Sequence, residues 1–89
     1  MQVRKMRLLR MRYDISCVEL GRACGLSPQR ISELEFGDGG VEPVTEGKIQ
    51  TGFLKVIAQR TERLCSLTQT LLYHQDSLMI SVEENGYEL

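Results

Sequence analysis

An all-α chain is expected here: two short capped helices joined by a tight glycine turn, then one elongated helix towards the C-terminus. Three observations predict it. Ser16 and Ser27 each stand directly before a short run with helical apolar spacing, where a hydroxyl caps a helix start. Gly25 lies between those runs, where a left-handed residue ends one helix and turns the chain into the next. From Phe53 to Asn85 there is no helix breaker, and apolar residues recur at steps of three and four.

Each element follows in order. A first helix is expected over residues 3–13, with Val3, Met6, Arg10 and Tyr13 on one face and Leu9 beside it. Leu8 and Met11 fall on other sides, so this helix calls for a second packing partner, either the C-terminal helix or another subunit. The second helix covers residues 17–24. Ser16 and Glu19 have the spacing of a capping box, and Val18, Leu20 and Cys24 supply apolar contacts. Gly21 costs about 1 kcal/mol in a helix relative to alanine, and is tolerated where another helix passes close. Leu26 plugs the turn, Ser27 caps the third helix over residues 28–36, and Pro28 falls at its first position. Ile31 and Leu34 face inward, and Gly37 is placed to end the helix. Asp38 to Pro43 reads as a loop.

A fourth helix is expected from Thr45 as N-cap, with Glu46 in its first turn and Val44 stapled to Ile49. Gly47 and Gly52 weaken its first turns. Beyond them Phe53, Val56, Ile57, Leu64, Leu67, Leu71, Leu72, Leu78 and Met79 follow, heptad-like from Leu64 if His74 counts, with Arg60 interrupting the seam. One long helix, broken near His74–Ser77, fits this pattern. Asn85-Gly86 reads as a C-cap or turn, and the last three residues as frayed. Two regions result: residues 1–44 with the paired short helices, and residues 45–89 for core packing and dimerisation.

Leu20, Gly21, Cys24, Gly25, Leu26, Ile31 and Leu34 resemble the skeleton of the lambdoid phage repressor and Cro family, the XRE-type helix-turn-helix proteins. The resemblance covers roughly Val3 to Gly37. It implies a lambda-repressor-like helix-turn-helix bundle, here with an elongated C-terminal helix. It also implies a buried pair between Arg10 and Glu35, and a positive φ at Asp14, which aspartate tolerates better than most residues. Without the family, the same spacing describes a plain helical hairpin of a small bundle.

In this family the third helix enters the DNA major groove, and its exposed N-terminal residues reach base edges. On that pattern Pro28, Gln29, Ser32 and Glu33 read bases. The Gln29 amide suits a two-point bond to adenine, Ser32 either base or phosphate, and Pro28 at most a thymine methyl. Glu33 either accepts from a cytosine or pairs with Arg30 or Arg22. Phosphate contacts fall to Ser16, Cys17, Ser27, Arg30 and Arg12, with Arg4 a weaker candidate and the N-terminus of the second helix offering backbone N–H groups. The family often has glutamine where Cys17 stands and a basic loop where Asp38 and Glu42 stand.

Composition bounds the alternatives. At 89 residues the chain is one domain with an extension, short enough for oligomerisation to help its core. Net charge is −1, but residues 1–36 hold seven basic against four acidic side chains, and residues 37–89 hold four against eight. The basic excess lies in the half with the paired helices. Three cysteines form no disulfide framework, since Cys17 and Cys24 lie roughly 10 Å apart along one helix. With one histidine and no C-x-x-C pair, no metal or cofactor is expected. No nucleophile–base pair or phosphate-cradling loop points to an enzyme. No run is long enough to span a membrane, so a cytoplasmic protein is expected.

The expected function is sequence-specific DNA binding by a homodimeric transcription regulator, a repressor on an inverted repeat, joined through Leu64, Leu67, Leu71 and Leu78. The partners are double-stranded DNA and a second copy. The alternative is a protein-interaction module of the same fold, an antitoxin or a phage or mobile-element anti-defence regulator, whose main partner is a protein. The acidic second half and Pro28 favour that alternative.

Overall fold

The structure, a computed structural model, describes residues 2–37 and 39–86. All regular structure among them is helical: α1 (Lys5–Arg12), α2 (Cys17–Cys24), α3 (Pro28–Phe36) and α4 (Pro43–His74). No described helix is long and apolar enough to cross a membrane. Asp38 and the last three residues, expected to be frayed, lie outside the described residues.

Local chemistry sets the short helices. The Ser16 hydroxyl accepts from Glu19 N–H at 3.0 Å, and the Ser27 hydroxyl from Arg30 N–H at 3.1 Å. Gly25 takes the left-handed conformation, φ 76°, and its N–H bonds back to the Gly21 carbonyl. Leu26 N–H reaches the same carbonyl at 2.9 Å. Gly21 is needed for a different neighbour from the one expected. A side chain there would meet the Leu26 carbonyl at 2.5 Å, so the turn itself, not a passing helix, excludes it. Asp14 has φ 53° and carries the chain from α1 into α2.

α1 is shorter than residues 3–13. Arg4 is extended (φ −77°, ψ 150°) because its N–H donates to the Glu35 carbonyl at 2.9 Å, which ties it to α3. α4 begins at Pro43, two residues before the expected cap at Thr45. Proline needs no donor at a first helical position, and the Glu42 carbonyl accepts from Glu46 N–H at 3.0 Å. Val44 therefore lies inside the first turn, exposed, and does not occupy the position of a staple. α4 ends at His74, whose carbonyl accepts from Ser77 N–H at 2.9 Å; Ile80 N–H then bonds to the Ser77 carbonyl at 3.1 Å.

The chain forms two compact units, Met1–Ala58 and Gln59–Leu89. In the first, Ile15, Leu20, Cys24, Ile31 and Val56 form the core, with Met6, Cys17, Ala23, Leu26, Ile49 and Phe53 packed against it. Leu34 is buried as well. The core thus draws on α4 as far as Val56, past the 44/45 division drawn from the pattern. A side chain at Gly52 would overlap the Cys24 sulfur, so α2 and α4 approach too closely there for anything but glycine. Val18, expected to supply an apolar contact, is exposed, and so is Tyr13. In the second unit no described residue is buried.

Candidate nucleic-acid interface

α3 is built as a two-faced helix. Ile31, Leu34 and Glu35 are buried, while Pro28, Gln29, Arg30 and Glu33 are exposed and Ser32 is half-buried. Gln29, Ser32 and Glu33 share one outward face at steps of three and four residues. The expected base-reading residues are therefore together on the surface. Between the readings left open for Glu33, the geometry pairs it with Arg30, at 3.5 Å with both side chains about half exposed. An exposed pair of this kind is worth well under about 1 kcal/mol and yields readily to another partner.

The inward face carries one charge. The Glu35 side chain is completely buried. It receives Arg10 through Nε at 2.6 Å and Nη2 at 2.9 Å, a two-point guanidinium–carboxylate contact. Arg7 Nη1 adds a third bond at 3.2 Å and lies over the Phe36 ring, 4.6 Å from its centroid. Arg10 also donates to the Ile15 carbonyl at 3.0 Å. The hydrogen bond to Glu35 holds the Arg10 pKa above its ordinary value, against the opposing effect of burial. Arg10 is thus committed to tying α1 to the end of α3.

Arg4 is committed too. Its Nη1 donates to the Leu34 carbonyl at 2.8 Å, and its Nη2 donates to the Gly39 carbonyl. It clasps the end of α3 and the following loop, where a weak phosphate contact was expected. Arg7, three residues before Arg10 on the same helical face, is the partner of Glu35 that the sequence reading missed. Its i, i+3 spacing to Arg10 was the available signal.

The other expected phosphate contacts lie at helix starts and on the surface. Ser16 and Ser27 are exposed and cap α2 and α3, and Cys17 is half-buried at the first position of α2. Arg30 is exposed, and the exposed Arg12 has its guanidinium 5.9 Å from the Tyr13 ring centroid. A cleft of about 580 Å³ lies in the first unit between α1 and α4, lined by residues including Arg4, Met6, Leu9, Ile49 and Phe53. Leu64, Leu67 and Leu71 are exposed along α4. Leu78 is exposed as well, but it lies in the turns beyond His74, off the helical register of the other three. Among the described residues no group of acidic, histidine or cysteine side chains is placed to hold a metal ion.

No family model matches the chain, and no curated protein or solved structure is significantly similar to it.

Proposed function

We propose that the chain is a sequence-specific DNA-binding transcription regulator, a repressor that acts as a homodimer with α3 in the major groove. The observation that carries this reading is the two-faced α3. It follows a capped partner helix and a three-residue turn, presents Gln29, Ser32 and Glu33 outward, and is anchored inward by Ile31, Leu34 and Glu35. In this reading Gln29 distinguishes bases, Ser32 contacts base or phosphate, and Arg30 exchanges Glu33 for phosphate. Ser16, Cys17 and Ser27 place helix N-termini against the backbone, with Arg12 adding charge. A cytoplasmic location goes with this role.

Titration of the wild-type chain against random-sequence duplex at increasing salt tests it. Affinity falls steeply as several counterions are released. Gln29→Ala lowers the preference for the selected site by about 1–3 kcal/mol, whereas Arg30→Ala weakens all sequences alike. Absence of binding at low salt overturns the proposal. It would favour the second reading, a protein-interaction module of the same fold (an antitoxin or anti-defence regulator), which the exposed leucines of α4 and the acidic second half support.

A further inference from the structure

The cleft between α1 and α4 combines an apolar floor with charged walls. Met6, Ile49 and Phe53 line it and pack against the core, and Leu9 at its edge is 51% exposed. Its volume, about 580 Å³, lies within the roughly 300–1,000 Å³ of small-molecule sites. Arg4 and Lys5 line it from the start of α1, and Glu46 from the first turn of α4. The start of α1 is positive throughout. Its first turn holds no acidic residue, its N-cap makes no side-chain cap bond, and the helix dipole adds its own positive end. The Arg4 guanidinium donates to the Leu34 and Gly39 carbonyls, which satisfy N–H groups without cancelling the charge.

We propose that this cleft binds a small amphipathic monoanion, an aliphatic carboxylate with its tail along Met6, Leu9, Ile49 and Phe53 and its head at Lys5. The floor selects the tail, because it is apolar and continuous with the core. The walls select the head. Arg4 and Lys5 stand against Glu46, so the lining has two positive charges and one negative, a net charge of +1. An anion is drawn in and a cation of the same shape is not. Glu46 on the α4 wall repels the carboxylate towards α1, and it disfavours a ligand with a second acidic group. Lys5 and Glu46 are both exposed, so charge sets the selectivity and burial of the tail supplies most of the affinity. A bound carboxylate also stabilises the first unit, because it binds only where α1 and α4 are held together.

The site is independent of the DNA reading, and its test uses no DNA. The full chain is titrated with octanoate and with octylammonium, which share a tail and differ in charge, and methyl signals are followed by NMR. Octanoate should bind saturably, shift the signals of Met6, Leu9 and Ile49, and raise the melting temperature. Lys5→Gln should weaken octanoate binding by about three- to fivefold, and Glu46→Gln should strengthen it by a similar factor. Both positions are exposed, so neither substitution disturbs the fold. Octylammonium binding as tightly as octanoate overturns the proposal, as do equal octanoate affinities in the two variants. So do shifts confined to Leu64, Leu67 and Leu71, which would mean that the tail coats the exposed face of α4. The absence of any saturable shift at roughly ten millimolar octanoate also overturns it.

Discussion

The two units use similar apolar residues to opposite ends. In Met1–Ala58, Leu20 and Ile31 are fully buried; in Gln59–Leu89, Leu64 and Leu67 are more than half exposed. The difference is one of turns, not of hydrophobicity. α2 stops after about two turns because a left-handed glycine ends it, and a capping serine starts α3 two residues later. That reversal sets Leu20 and Cys24 in one core with Ile31, and Val56 of α4 joins them. Within residues 59–74 no cap or left-handed residue interrupts α4, so the leucines there stay on one exposed helical face. An isolated helix of that length is marginal in water, and its apolar face is stabilised by packing against something else.

The largest test of this contrast removes the charge at the centre of the first unit. Glu35→Ala leaves Arg10, whose side chain is only 11% exposed, without its carboxylate and releases Arg7 as well. Breaking a buried pair from one side costs about 3–5 kcal/mol. Thermal unfolding should shift down by roughly 10 °C or more for a domain of this size. A shift within two degrees would mean that α1 and α3 are held together by apolar packing alone.

The next test compares the same substitution in the two units. Leu20→Ala should cost about 2–5 kcal/mol, because it empties a fully buried site. Leu64→Ala should change the stability of the dilute monomer by less than about 0.5 kcal/mol, since its side chain is mostly in water. Urea melts of both variants at low concentration measure this, and equal losses would erase the distinction between the units.

What was legible in the sequence divides along the same line. Ser16, Gly25, Ser27 and Pro28 act on neighbours within a few residues, so their roles could be read from spacing alone, and α2 and α3 have the expected bounds. Long-range geometry could not be read that way. The extended backbone at Arg4 depends on the Glu35 carbonyl, and its side chain depends on the carbonyls of Leu34 and Gly39, 30 and 35 positions away. Gly52 looked like a weak point of a helix. Only the closeness of Cys24 shows why a glycine stands there. The spacing points to Thr45 as the cap and Pro43 as the end of the loop, yet proline at a first helical position is equally compatible with the residues, and α4 starts there. Of the candidate interface, the inward and outward faces of α3 followed from its period, whereas the commitment of Arg4 and Arg7 to internal contacts did not.

The smallest expected effect also separates the units, through their cysteines. Cys24 is buried in the first unit and Cys65 is exposed in the second. Burial pushes the Cys24 thiol above its ordinary value of 9.0, with Lys55 partly opposing the shift. Unfolding returns the thiol to water, where it ionises first, so the unfolded state binds fewer protons at high pH and stability falls as pH rises. The contribution is complete below about pH 9 and is lost as pH climbs through the folded-state pKa, by at most about 1.4 kcal/mol for each pH unit. Urea melts between pH 8 and pH 10 should therefore show a decline that Cys24→Ala lacks and Cys65→Ala retains. Identical slopes in the two variants would mean that Cys24 meets water in the folded protein, and that the contact between α2 and α4 at Gly52 opens readily.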